Sequence, residues 1–208
     1  MLVVILGAGG HGQVVADILF HMWKSGRDLE IHGYLDNDES LTGKRLLGIR
    51  VLGPQSLLPE VGHEAVVAAI GDNAIRRRIY EELSPSQTFL TAIHPSAIIS
   101  PDVKIGPGAM VCAGAIIGPG AVVGENAIIN TGATVDHHNV IGAHAHVAPG
   151  VNLGGGVHVG EGAFIGIGAS VIPGTSIGAG AVVGAGAAVI ADVPAGQTWV
   201  GVPARPVS

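Results

Sequence analysis

From Ile93 to Val189 every sixth residue is Ile, Val or Leu, seventeen positions without a miss. The residue after the aliphatic one is most often Gly, and four places after it sits a small residue, usually Ala. A period of six matches neither the 3.6 of a helix nor the 2 of an ordinary strand. It is the mark of a hexapeptide β-helix, in which each hexapeptide supplies one short strand and one corner and three of them close a triangular coil. Aliphatic side chains then point inward and stack coil on coil, with successive coils about 4.8 Å apart. Seventeen hexapeptides make between five and six coils, roughly 25 Å of prism. Gly and Ala serve where a Cβ would collide inside the prism or at a tight corner. The known hexapeptide prisms wind left-handed, against the usual crossover preference.

The first ninety residues follow a different rule. Leu2–Leu6 is an apolar strand that runs into Gly7-Ala8-Gly9-Gly10-His11-Gly12, and a helix is predicted over 13–23 with Val14, Val15, Ile18, Leu19 and Met22 on its apolar side. Further strands are expected at 30–35, at 65–70 and at 87–90, with a second helix over 74–83. The pattern is that of a small Rossmann-like βαβ domain with a parallel sheet. The expected division is a small Rossmann-like domain over 1–90, a left-handed β-helix domain over 91–192 and a C-terminal tail over 193–208. The fold class is thus α/β followed by a left-handed parallel β-helix.

The chain has 208 residues, long enough for two modest domains. A net charge of −6 and the lack of any long Lys/Arg run argue against nucleic acid. Arg76-Arg77-Arg78 lies on the second predicted helix and reads as a solvated face. Cys112 stands alone, so there is no disulfide framework and no metal-type Cys spacing; it reads as a small core residue. No apolar run is long enough for a membrane span. The Met1-Leu2-Val3-Val4-Ile5 start lacks a basic leader and reads as a first strand, which points to the cytoplasm.

Two features carry chemistry. Gly7, Gly9 and Gly12 satisfy G-x-G-x-x-G between a strand and a helix, with Asp36 twenty-four residues on. Half a Rossmann domain cannot cradle both halves of a dinucleotide, whereas the diphosphate of a nucleotide sugar asks the same of exposed N–H groups at a helix start. A structural tight turn is the other reading. His11 either donates to a phosphate oxygen or caps the helix. Five of the ten histidines, His137, His138, His144, His146 and His158, lie between 137 and 158. His137 and His138 fall on an outward corner, and an imidazole there can take a proton at neutral pH. A metal site and mere polar corners are the alternatives; no Cys or acidic triad accompanies the histidines, so no metal is expected. These residues cannot easily meet within one prism, but they can across the groove between packed prisms, and a three-fold trimer is a symmetric way to cover flat sides.

Taken in order, Gly7-Ala8-Gly9-Gly10-His11-Gly12, Ala69-Ile70-Gly71-Asp72-Asn73, Ile93-His94-Pro95-Ser96-Ala97, Val135-Asp136-His137-His138 and Gly201-Val202-Pro203-Ala204-Arg205 resemble the family of bacterial sialic-acid O-acetyltransferases and UDP-4-amino-sugar N-acetyltransferases. The resemblance covers essentially the whole chain. It implies a homotrimer that binds acetyl-CoA along the groove between neighbouring prisms and a UDP-amino sugar on the small domain. It further implies Gly9, Gly10, His11, Asp36, Asn37 and Gly71 as substrate contacts, and His137 as general base with His138 as auxiliary. His146 would face the thioester, Gly155 and Ile167 would line the pantetheine groove, and Arg205 would meet a CoA phosphate.

The expected activity is N-acetylation, from acetyl-CoA, of the 4-amino group of a UDP-4-amino-4,6-dideoxy sugar for surface glycan or glycoprotein synthesis. O-acetylation of sialic acid or a related sugar is the alternative, and a non-catalytic or metal-binding prism a remoter one. One position departs from the family pattern. The residue after the base is usually Glu or Asp, which orients the imidazole; here it is His138. Either Asp136 takes that role, or a backbone carbonyl does, or the base is less activated. In a strand-like segment Asp136 points away from His137.

Overall fold

The computed structural model describes Met1–Val207 and divides the chain into two compact units, Met1–Pro95 and the remainder from Ser96. In the first unit, β1 (Leu2–Leu6), α1 (Gly10–Lys24), β2 (Glu30–Leu35), β3 (Arg45–Leu46), β4 (Ile49–Gly53), β5 (Ala65–Ala68), α2 (Asn73–Leu83) and β6 (Ala92–Ile93) follow in order. Five of the strands form one sheet in the order β3-β4-β2-β1-β5, parallel except for the β3–β4 hairpin. β1 and β5 are apolar throughout and buried nearly throughout, as strands covered on both faces must be. α1 buries Val15, Ile18, Leu19 and Met22, the i, i+3, i+4, i+7 stripe of an amphipathic helix. On one side of the sheet, Val4, Leu6, Leu35, Val66 and Ala68 pack with Ile79 and Tyr80 of α2 and with Phe89. The strand expected at 87–90 is reduced to a single parallel bridge between Val66 and Phe89.

The second unit is the left-handed parallel β-helix anticipated from the six-residue period. From Ile98 to Val189 its strands are two residues long, and each aliphatic of the period is the second of its pair. Partners are eighteen residues apart, as in Ile99↔Ile117, Ile117↔Val135, Val135↔Leu153 and Leu153↔Val171. Three sheets result. From Val111 to Val189 every aliphatic of the period is buried, so the stack is one continuous core. The glycine after the aliphatic answers to that stacking: a Cβ on Gly124 would meet Ala143 N of the next coil at 2.5 Å, and one on Gly118 would meet His137 N at 2.9 Å. Cys112 occupies this position and is fully buried. Burial pushes its thiol up to about 12, which leaves it un-ionised and inert at neutral pH. Among the described residues no helix is long and apolar enough to cross a membrane.

Candidate active site

From Ile105 to Val183 the third residue after each inward aliphatic turns the corner with positive φ, and it is Gly at all but three of these corners, from Gly108 to Gly186. Three corners break the rule: Asn126 (φ 53°), His138 (φ 57°) and His144 (φ 59°). Histidine tolerates the left-handed region better than branched residues do, at a cost in backbone energy. Two of the clustered histidines thus occupy strained corners.

His137 immediately precedes one of those corners, and both it and His138 are exposed. The two Nδ1 atoms are 3.1 Å apart, so one ring donates an N–H to the other. With the proton on His137 Nδ1, the Nε2 lone pair of His137 is left to accept a proton, and His138 is the side chain bonded to the ring on its other side. Asp136 does not serve in that role: its Oδ1 accepts from the backbone N–H of His137 at 2.7 Å. Asn139, fully buried, ties the corner down from inside by donating Nδ2–H to Asp136 O (2.7 Å) and to Gly154 O of the next coil (3.0 Å).

The floor under His137 is Gly155. A Cβ there would run into Cε1 and Nε2 of the His137 ring and lie 3.0 Å from Nδ1, so the imidazole fits because this residue has no side chain. The His137 carbonyl accepts from Gly156 N at 2.9 Å, which locks the same two coils together. Gly155, expected to line a cofactor groove, is therefore also the seat of the expected base.

The remaining histidines stand apart. His146 is buried, with Nε2 3.0 Å from Asn130 Nδ2 and its ring edge-on to Phe164 at 5.2 Å. It belongs to a different sheet from the strand Thr134–Val135 that leads to His137. His144 is buried and its Nδ1 is 2.8 Å from Asn126 Nδ2 one coil below. His158 is exposed on a strand of the third sheet. Ile167 is 61% exposed on the edge that follows the His146 sheet, whereas Gly155 lies on the edge that follows the His137 sheet. Within one chain the structure brings together His137, His138 and Gly155, but not His146 or Ile167.

In the first unit the glycine loop divides into two kinds of residue. A Cβ on Gly7 would meet Ala69 O at 2.9 Å, and one on Gly12 would collide with Gly7 O, so these two are required by helix-on-strand packing. Gly9 and Gly10 have open space where a Cβ would be, and no side chain caps the start of α1. That is the arrangement of an anion site at a helix N-terminus. Asp36 holds the loop: its Oδ2 accepts from Ala8 N at 2.6 Å and its Oδ1 from Asp38 N at 2.8 Å. Asn37 Oδ1 accepts from Gln55 N, and Gly71 lies in open space with its carbonyl 3.4 Å from Arg76 Nη1. His11 is held down to about 4 by burial and by the nearby Arg76 charge, so at neutral pH it offers an uncharged imidazole.

Arg76 corrects the reading of 76–78 as a solvated face. It is fully buried, donating to Ile70 O (3.0 Å) and Asn73 Oδ1 (2.9 Å), while Arg77 and Arg78 make exposed i,i+4 pairs with Glu81 and Glu82. Burial lowers its guanidinium to about 10, still charged at neutral pH. A buried cation beside His11 adds to the positive potential at the start of α1.

Residues 2–83 match the family model for the PglD N-terminal domain. The chain is 37% identical to the acetyltransferase domain of PglB from Neisseria gonorrhoeae, covering 99% of each chain at a TM-score of 0.92; that domain has also been seen in complex with acetyl coenzyme A. It is 40% identical to PerB from Caulobacter crescentus in complex with CoA and GDP-perosamine, covering 100% of this chain and 98% of that one at a TM-score of 0.91. A UDP-N-acetylbacillosamine N-acetyltransferase of Bacillus subtilis is 40% identical over 109 residues, a match that spans 45% of that relative and 47% of this chain.

Proposed function

The chain belongs to the family of hexapeptide-repeat sugar acetyltransferases, and from that membership we propose that it transfers the acetyl group of acetyl-CoA to the 4-amino group of a UDP-4-amino-4,6-dideoxy sugar. The observation that carries the reading is the exposed His137 imidazole, seated on Gly155 and bonded through Nδ1 to His138. His137 Nε2 takes the proton that the sugar amine sheds as its nitrogen bonds to the thioester carbonyl carbon. The same atom returns that proton to the departing sulfur, leaving an N-acetyl sugar and free CoA. A neutral amine is a good nucleophile, so no acyl-enzyme is needed, and the inert buried Cys112 supplies none. The names of the relatives support an amine acceptor over the hydroxyl of sialic acid.

The uncapped start of α1, with open space beside Gly9 and Gly10, suits the diphosphate, with neutral His11 as a hydrogen-bond donor and Asp36, Asn37 and Gly71 as further contacts. UDP as the nucleotide is supported by the Bacillus relative's name, while PerB binds GDP-perosamine. The active form is a homotrimer, since Ile98, Ile116, Val122 and Val140 stand exposed on two prism faces and want cover. In the trimer His146, Gly155 and Ile167 line the acetyl-CoA groove, contributed by neighbouring prisms. The reaction takes place in the cytoplasm, in surface glycan or glycoprotein synthesis.

The test is free-thiol release from acetyl-CoA with UDP- and GDP-linked 4-amino-4,6-dideoxy sugars and with sialic acid, using His137→Ala alongside. Release with the UDP acceptor that the substitution abolishes is expected. Release that survives His137→Ala would remove the base, and release only with GDP or with sialic acid would remove the acceptor assignment.

A further inference from the structure

A second cluster of donor groups lies in the first unit, among residues that the acetyl-transfer reading does not use. Asp17 and His21 are one turn apart on α1, and His94 follows β6, against which α1 packs. One ligand atom from each of the three lies within 4.8 Å of the other two. Asp17 Oδ1 is 3.4 Å from His21 Nδ1, and the His21 and His94 rings are 4.7 Å apart centre to centre. We propose that Asp17, His21 and His94 form a binding site for one divalent transition-metal ion of the zinc class.

Geometry and donor type support this. Two ligands about 2.1 Å from a tetrahedral zinc stand about 3.4 Å apart, the separation already present between Asp17 and His21. An i,i+4 pair on a helix projects both side chains to one side, so the chelate half of the site comes ready-made from α1. His94 closes it from a different element. Two imidazoles and one carboxylate are the ligand set that zinc, cobalt(II) and nickel(II) accept, and hard calcium or magnesium does not favour imidazole. His94 is buried, so its ring is held at the cluster by the packing around it. His21 Nδ1 also lies 2.9 Å from the Asp17 backbone carbonyl, which holds the ring over Asp17; on metal binding the imidazole carries its proton on Nε2 instead. Asp17 is exposed and His21 half-buried, so the ion has an entry path and water fills the fourth position. The expectation of a metal-free protein turned on the histidines between 137 and 158, none of which belongs to this cluster. Bound there, the ion clips α1 to the segment that follows β6.

The test uses the full chain, stripped with chelator and dialysed against zinc alone at pH 7.5, with bound metal counted by mass spectrometry and cobalt(II) absorption as a second readout. One ion per chain with low-micromolar or tighter affinity is expected, with tetrahedral cobalt bands and a raised melting temperature. His21→Ala, at a surface position that tolerates truncation, lowers affinity at least tenfold, and Asp17→Asn does the same. His138→Ala leaves zinc affinity unchanged. Unaltered binding in His21→Ala, loss of binding in His138→Ala, or no bound ion in the parent protein would each overturn the proposal.

Discussion

Gly155→Ala isolates the seat of the proposed base, His137, from the rest of the fold. The new Cβ would enter the space of His137 Cε1 and Nε2, well inside the roughly 3.5 Å at which carbon atoms rest against one another. The ring must therefore retreat by about 1 Å. Misplacing a catalytic group by that much costs on the order of 10²-fold in rate, or about 2.7 kcal/mol of barrier. The folding cost is far smaller. The obstacle is the exposed end of a side chain that can swing away, and Gly155 is not among the positive-φ glycines, so alanine fits its backbone. Removing a glycine from the unfolded chain even returns about 0.4–1 kcal/mol.

The assay is thiol release at saturating acetyl-CoA and acceptor, paired with urea unfolding, with His137→Ala setting the floor. The expected result is a kcat lowered about 10²-fold with stability within about 1 kcal/mol of the parent. If Gly155 served only as the groove floor, KM for acetyl-CoA would rise and kcat would hold. That outcome, or an unchanged kcat, would refute the argument that the ring acts from the position seen here.

Three further substitutions probe the rest. His138→Gly frees the left-handed corner at φ 57° and gains about 1 kcal/mol in stability, but loses kcat because His137 Nδ1 has no partner; His138→Asn, which suits the corner and keeps an acceptor, retains most of the rate, and equal rates in the two variants would dismiss the His–His bond. Arg76→Leu strands Ile70 O and Asn73 Oδ1 and destabilises by about 2–4 kcal/mol, while Arg78→Leu stays within about 0.5 kcal/mol; comparable urea midpoints would show Arg76 to be solvated after all. For His11 the folded value is about 4 against 6.5 unfolded, so between those values the unfolded chain binds the extra proton and stability rises with pH. Its contribution is complete above pH 6.5 and falls by up to about 3 kcal/mol as pH drops toward 4, with about 1.4 kcal/mol gone by pH 5.5. His94, shifted the same way, adds to the loss. Urea midpoints from pH 7.5 to 5 should fall less steeply in His11→Gln, and parallel curves would exclude His11 as the buried neutral group.

What sequence could and could not reveal divides along physical lines. The prism is written in a period that only one backbone geometry satisfies, so the strand pairs from Ile98 to Val189 and their inward residues follow from counting. β1, β2, β5 and both helices follow from apolar runs and a 3.6 stripe. The β3–β4 hairpin escaped because its turn, Leu47-Gly48, has positive φ at both residues (51° and 80°), and leucine stands where Asn or Asp would announce such a turn. Arg76 escaped because three arginines in a row suggest solvent. Yet it shares a helix face with Ile79 and Tyr80, and that spacing was available.

The site shows the same division more sharply. His137 could be selected by resemblance, but its relation to Gly155 could not, because the two are eighteen residues apart and meet only once coils stack. The eighteen-residue rule does place Gly155 one coil beyond His137 on the same edge, so the contact follows from the period read across coils instead of along the chain. Read that way, the corner row carries a second signal: histidine at 138 and 144 stands in a row that is otherwise almost all glycine. His144 answers to Asn126 below it, an internal partner that makes the corner self-sufficient. His138 answers to His137, an exposed ring. On the proposed reaction, a side chain held in a costly backbone conformation beside an exposed imidazole answers to that imidazole's chemistry more than to the fold, so the rate, and not the stability, is what His138 and Gly155 are expected to control.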